Sequence, residues 1–119
     1  MGILSSDSCQ FFHFGSGGGW YDDIDFLSQC IADLNLLKKP ALIVADATEC
    51  LSSNGPFGPG DLIRPQRVIA AADPVLVDAY ACTLMGLEAT NVAMIGKAVE
   101  YGIGRMDLQS AAIQEIVLS

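Results

Sequence analysis

A continuous apolar run, Ala41-Leu42-Ile43-Val44-Ala45, lies between Pro40 and Asp46 and gives the strongest indication of fold in this sequence. Its β-branched centre and its lack of polar alternation are typical of a strand that is covered on both faces, as in a parallel sheet. The residues at 67–71 predict a second short buried strand, and those at 112–118 predict a terminal one.

Three helices are predicted around these strands. From Asp22 to Lys39, apolar residues recur every three or four positions, which is the spacing of one helical face. A second helix begins at Asp73-Pro74, where Asp can accept amide hydrogens and Pro needs no donor, and a third covers 91–101. We therefore expect an α/β fold, with a layered, largely parallel sheet and helices packed on its faces.

The chain has 119 residues, which is enough for a single domain spanning 1–119. Two segments interrupt the regular pattern. Residues 47–66 are predicted to be a long loop, because three glycines and two prolines fall between positions 52 and 61. Residues 15–19 form a short glycine-rich loop, which lacks the Lys-Ser/Thr ending of a P-loop.

The charge balance excludes several classes of partner. Six Lys and Arg against 14 Asp and Glu give a net charge of −8, which leaves no basic surface for nucleic acid or for an anionic membrane. No apolar run approaches the ~20 residues needed to cross a bilayer, and the first residues do not resemble a signal peptide. We therefore expect a cytoplasmic protein.

The cysteines are dispersed along the sequence, at Cys9, Cys30, Cys50 and Cys82. Zinc sites and iron–sulfur clusters usually take closely spaced pairs of thiolates, and no Cys-x-x-Cys motif occurs here. The sequence therefore predicts small buried cysteines and contains no iron–sulfur motif.

Polar residues follow the two internal strands closely. Asp46 ends the first strand, Asn54 and Gly55 lie in the following loop, and Asp73 follows the second strand. Asp78 comes one turn later, in an otherwise apolar helix. Because the carboxyl ends of parallel strands meet at one edge, we expect these residues to line one cleft. Asp46, Asp73 and Asp78 are the candidate ligands for a divalent cation such as Mg²⁺ or Ca²⁺.

Each residue of this set also has a purely structural interpretation. Asp73 suits a helix cap, Asp46 suits a turn, and Asn54-Gly55 suits a tight turn. Asp78 would equally fit a solvated helix edge. His13 is the only histidine, so it is a candidate ligand-binding residue or general acid or base, or a partly buried structural side chain.

Five short phrases occur in order and carry a family resemblance. They are Ile31-Ala32-Asp33-Leu34-Asn35, Lys39 through Ala47, Asn54 through Gly58, Ala72 through Ala79, and Ala98 through Gly104. Together they resemble the carboxyl-terminal half of the family known as domain of unknown function 362. The positions that match the family pattern are Asp46, Asn54, Gly55, Pro56, Asp73, Pro74 and Asp78.

The resemblance implies an association with redox proteins, because members of that family often carry a ferredoxin-like module with two four-iron clusters. The cluster-binding cysteine repeats are missing from this sequence. Two functions fit these observations. One is a polar or cation-binding cleft, and the other is a non-enzymatic accessory or assembly module. Such a module would pair with itself as a homodimer or with a ferredoxin-type protein, since an incomplete sheet edge favours association.

Overall fold

The computed structural model describes residues 24–53 and 59–118. The regular elements, in chain order, are α1 (Ile24–Leu37), β1 (Ile43–Ala47), β2 (Cys50–Leu51), β3 (Leu62–Ile63), β4 (Arg67–Ala71), α2 (Pro74–Leu84), a 3₁₀ turn (Ala89–Asn91) and α3 (Ala93–Glu100). The predicted terminal strand is absent from this part of the chain, because residues 101–118 contain neither helix nor strand.

The prediction of a largely parallel layered sheet is wrong. β1 pairs with β4 in the antiparallel direction, with Ile43 opposite Ala71 and Ala47 opposite Arg67, and β2 pairs with β3 in a second antiparallel pair. The physical reason lies in the connection. A parallel pair needs a long crossover, usually a helix, but the described residues between β1 and β4, 48–53 and 59–66, contain only the short strands β2 and β3. The fold is therefore α+β.

The β1–β4 sheet is covered on one face. Ile43 and Ala47 are buried and point to the same side, and α2 packs against both β1 and β4. The opposite face is open, with Val44 64% and Val68 68% exposed. The prediction that these strands are covered on both faces is therefore also wrong for the described residues.

The main core lies between the three helices. Its buried members are Ile31, Ala32, Val75, Cys82, Ile95, Ala98 and Ile103. α1 packs against α3, and α2 contributes Val75 and Cys82 to the same cluster. The predicted helices are confirmed in position, and Gly86 and Gly102 follow the second and third of them with φ of +69°. A left-handed glycine at this position ends a helix without steric cost.

The predicted apolar face of α1 is buried only in part. Its spacing places Ile31, Leu34 and Leu37 on one side, and Ile31 is buried in the core, whereas Leu34 and Leu37 are exposed. Ser28 and Asn35, which do not belong to that apolar spacing, are buried. None of the helices in the described residues has the length and apolar character needed to span a membrane.

Candidate functional site

Asp73 is the best-connected of the predicted site residues. Its Oδ1 accepts hydrogen bonds from the backbone N–H groups of Val75 at 2.9 Å and Leu76 at 3.2 Å, which confirms the predicted N-cap of α2. Its Oδ2 accepts a third bond from the backbone N–H of Arg105 at 3.0 Å. The carboxylate therefore ties the start of α2 to a segment 32 residues further along the chain.

The segment that Asp73 binds is held from two other directions. The side chain of Ile103 is buried in the helical core, and Lys39 Nζ donates a hydrogen bond to the Ile103 carbonyl at 2.8 Å. Gly104 packs against the cap so closely that an added Cβ would lie 2.7 Å from Asp73 Cγ. We call Lys39, Asp73, Ile103, Gly104 and Arg105 the Asp73 junction.

Asp46 lies elsewhere and forms a local turn. Its Oδ1 accepts hydrogen bonds from the backbone N–H of Thr48 at 2.8 Å and from the Thr48 hydroxyl. These two bonds hold the pKa of the Asp46 carboxyl below its ordinary value. The side chain is exposed, so the turn interpretation of Asp46 is confirmed by its contacts.

The antiparallel pairing separates Asp46 from Asp73. Asp46 is opposite Val68, near the start of β4, whereas Asp73 follows the other end of β4. At ~3.4 Å per residue, the end of β4 that leads to Asp73 is about 10 Å from Val68. The single edge expected from parallel strands does not exist, and the two carboxylates lie near opposite ends of the sheet.

Asp78 lies on the core side of α2. Along the helix it falls between Val75 and Cys82, both of which belong to the buried cluster. Burial raises the pKa of the Asp78 carboxyl to about 6 from an ordinary value of 3.8. Burial also raises the pKa of the Cys82 thiol, and the nearby Asp78 charge adds to this effect. The partly buried position excludes the interpretation of Asp78 as a fully solvated helix edge.

We expect Asp78→Asn to stabilise the protein at neutral pH by up to about 2 kcal/mol. In the wild type, the Asp78 carboxyl binds a proton more tightly in the native state than in the unfolded chain, because its native pKa is higher. Its contribution to the free energy of unfolding therefore falls as pH rises from about 4 to about 6, and the loss persists above pH 6. Thermal melts from pH 4 to pH 8 measure the difference between variant and wild type.

The matched control for Asp78 is Asp33→Asn, because Asp33 is an exposed carboxylate on α1. The difference in Tm between Asp78→Asn and wild type should grow from pH 4 to pH 7, while the control difference stays flat. Equal curves for Asp78→Asn and Asp33→Asn would show that burial of Asp78 carries no cost.

The described residues contain no group of three or more His, Cys, Asp or Glu side chains placed to hold a metal ion. His13, Asn54 and Gly55, together with the glycine-rich loop 15–19, lie outside the described residues. A ligand-binding role for those positions stays a prediction. Among the cysteines, Cys82 is buried as predicted, whereas Cys30 and Cys50 are partly exposed.

An open groove of about 840 Å³ lies on the other side of α2. Its walls are β4, the first two turns of α2 and the carboxyl-terminal segment 105–118, and its polar lining includes Gln66, Arg67, Tyr80 and Arg105. Residues of β1 do not line it, so the groove follows the edge of β4 that faces away from β1.

No sequence pattern indicates the groove or the contacts of Lys39. Lys39 is predicted at the end of a helix and begins a phrase of the family resemblance, but its bond to Ile103 spans 64 positions, which no local pattern indicates. Asn35 belongs to another of those phrases, and nothing in its spacing predicts that it is 1% exposed. Its Nδ2 donates to the Ile31 carbonyl at 2.9 Å, and its Oδ1 has no hydrogen-bond partner in the described part of the chain.

The carboxylates of Asp73 and Asp46 both accept hydrogen bonds from within the chain. That of Asp73 accepts three backbone hydrogen bonds, and that of Asp46 accepts two bonds from Thr48. Asp73 therefore joins α2 to a distant segment, whereas Asp46 shapes a local turn. In the described residues, the β1–β4 sheet has an exposed apolar face and a groove beside β4.

Comparison with known proteins gives one finding. The family model described as Domain of unknown function (DUF362) matches residues 1–83, which is 83 of the 119 residues. The match includes Asp46, Asp73 and Asp78 and ends before Ala98–Gly104. No curated protein and no solved structure matches the chain.

Proposed function

Because the chain belongs to the DUF362 family, whose function is unknown, we propose its role from its own surface: a non-enzymatic assembly module that pairs with a second copy of itself through the β1–β4 sheet. The observation that carries this proposal is the uncovered apolar face of that sheet. The cation-binding alternative has less support, since the described carboxylates are dispersed.

The uncovered face is apolar over most of its length. Val44 and Val68 are each about two-thirds exposed. Leu42, the residue before β1, is also exposed and lies two positions from Val44, on the same side of the strand. Two strands alone are marginally stable in water, and a sheet normally gains stability from further strands or from a covering layer. Contiguous apolar surface of this kind is typical of an interaction site.

The charge on this face favours a second copy as the partner. Among the side chains that alternate outward from residue 42 to residue 46 and from residue 68 to residue 70, Asp46 is the one charged group. It lies at one end of the face. A two-fold axis through the middle of the face would place the two Asp46 carboxylates at opposite ends, so like charges would not meet.

The test is the double variant Val44→Lys/Val68→Lys. Both side chains are largely exposed, so the variant should keep its helical circular dichroism and its core. Two ammonium groups per copy would have to be desolvated in the interface, so we expect the variant to sediment as a monomer of about 12.6 kDa when the wild type sediments at twice that mass.

The control is Leu37→Lys, because Leu37 is an exposed apolar side chain at the end of α1, outside the sheet. It should sediment like the wild type. A double variant that keeps the mass of the wild-type assembly would overturn the proposed interface. If the wild type is monomeric alone and gains mass only when a ferredoxin-type protein is added, that protein is the partner in place of a second copy.

A further inference from the structure

We propose that the carboxyl-terminal segment, residues 111–118, pairs as an antiparallel strand with β4 of a second copy, and that the two copies exchange these segments reciprocally. This inference rests on the proposed function and adds a second contact to it: besides the uncovered face of the β1–β4 sheet, the free edge of β4 would bind the second copy. Nothing in the family description assigns a role to this segment, and the family match ends before it.

Two contacts fix the direction of the segment relative to β4. Near the end of β4, the backbone N–H of Arg105 donates to Asp73. Near the start of β4, Arg67 Nη2 lies 3.0 Å from Glu115 Oε1. The chain from Arg105 to Glu115 therefore runs from the end of β4 back to its start, which is the antiparallel direction.

The Arg67–Glu115 ion pair also sets a register. With these two residues opposite each other, Ile113 falls opposite Ile69, and Ala111 falls opposite Ala71. Ile69 alternates with Val68, so it points to the α2 side of the sheet. This register would place Ile113 beside Ile69 on the apolar side, as a third strand requires.

Within one chain this pairing is not made. In the described part of the chain, the backbone bonds donated by residues 111–118 run from Ala111 to the Leu108 carbonyl and from Ile113 to the Ala111 carbonyl, and none reaches β4. The groove of about 840 Å³ lies between the segment and β4 instead.

The connection that precedes the segment constrains its backbone, which does not join the β4 ladder although the Arg67 and Glu115 side chains of one chain meet. Arg105 is bound to Asp73, and Asp107 fixes a turn by accepting the backbone N–H of Gln109 at 3.0 Å. The carbonyl of Asp107 accepts the Ser110 hydroxyl as well. The second copy's segment makes the same contacts within its own chain, but these contacts do not fix its distance from this copy's β4, so pairing between copies completes the ladder without breaking them.

The end of the segment is apolar and almost fully exposed. Ile116 is 81% exposed and Leu118 is 90% exposed. Both side chains are apolar, and none of the described residues covers them. Each copy therefore has an open edge on β4 and an uncovered apolar segment. The two features complement each other in a closed two-fold pair, which needs no third component.

The test joins position 67 of one copy to position 115 of the other. Arg67→Cys and Glu115→Cys are made in separate chains, mixed, and oxidised mildly, and the linked peptides are identified by mass spectrometry. Each chain has only one of the two new thiols, so a 67–115 disulfide joins two chains. The loss of this exposed ion pair should cost little stability, about 1 kcal/mol or less.

The matched control mixes Arg64→Cys with Glu115→Cys. Arg64 is exposed and pairs with Glu49 at 2.7 Å, three positions before Arg67. We expect about tenfold more 67–115 linkage than 64–115 linkage, because a disulfide needs Cβ atoms only ~4 Å apart.

Equal linkage at both positions, or linkage only within a chain that has both Arg67→Cys and Glu115→Cys, would overturn the exchange. If the wild type is still twice 12.6 kDa in that case, the proposed function stands and only the strand exchange fails. A wild type of 12.6 kDa would remove both.

Discussion

Replacing Gly104 by alanine is expected to lower the free energy of unfolding by about 3 kcal/mol. An added Cβ would lie 2.7 Å from Asp73 Cγ and 2.9 Å from Val75 Cγ2. The Asp73 carboxylate cannot move aside cheaply, because it accepts three backbone hydrogen bonds. The methyl group must therefore displace the cap of α2 or the Gly104 backbone. Urea unfolding at one fixed protein concentration measures the change.

Gly96→Ala is the matched control for Gly104→Ala. Gly96 lies inside α3, and an added Cβ there would have no atom within 4 Å. Alanine favours a helix over glycine, so this variant should gain up to about 1 kcal/mol. Changes of opposite sign in the free energy of unfolding of the two variants would support the close packing at the Asp73 junction. A Gly104→Ala variant with unchanged free energy of unfolding would contradict it.

Asp73→Ala should cost about 2–3 kcal/mol of unfolding free energy. The change removes the N-cap acceptor for Val75 and Leu76 and also leaves the Arg105 N–H without its acceptor. Because Arg105 precedes the carboxyl-terminal segment, this variant should also increase amide hydrogen exchange at residues 105–110. Urea unfolding and hydrogen exchange give the two measurements.

The control for Asp73 is Asp46→Ala, the other carboxylate at a strand end. Its acceptor bonds are confined to Thr48 in an exposed turn, so we expect a much smaller loss of unfolding free energy than for Asp73→Ala. The comparison distinguishes a carboxylate that joins distant segments from one that shapes a local turn. Equal losses for the two variants would show that the Arg105 bond contributes nothing measurable.

Part of this fold could be predicted from local sequence, because the information is local. The start of α2 follows from Asp73-Pro74, and the helix ends follow from Gly86 and Gly102. The pairing direction of β1 and β4 could not be predicted in this way, because apolar runs do not encode strand direction. The connection indicates it better: residues 48–66 are rich in glycine and proline, and the described part of this segment contains no helix that could make a parallel crossover.

The candidate site depended on that pairing direction. Once β1 and β4 are antiparallel, Asp46 and Asp73 separate, and the cleft expected at one sheet edge is lost. The Asp73 junction joins Lys39, Asp73 and Gly104, which are far apart in sequence. Each of the three belongs to a phrase of the family resemblance, but their meeting required tertiary structure. Helical spacing likewise predicted α1 and the burial of Ile31, but not the exposure of Leu34 and Leu37.

Sedimentation equilibrium of the wild-type chain over a wide concentration range tests self-association most directly. We expect a mass that rises to twice 12.6 kDa and goes no higher, because reciprocal pairing closes the assembly. A constant mass of 12.6 kDa up to high concentration would contradict self-association.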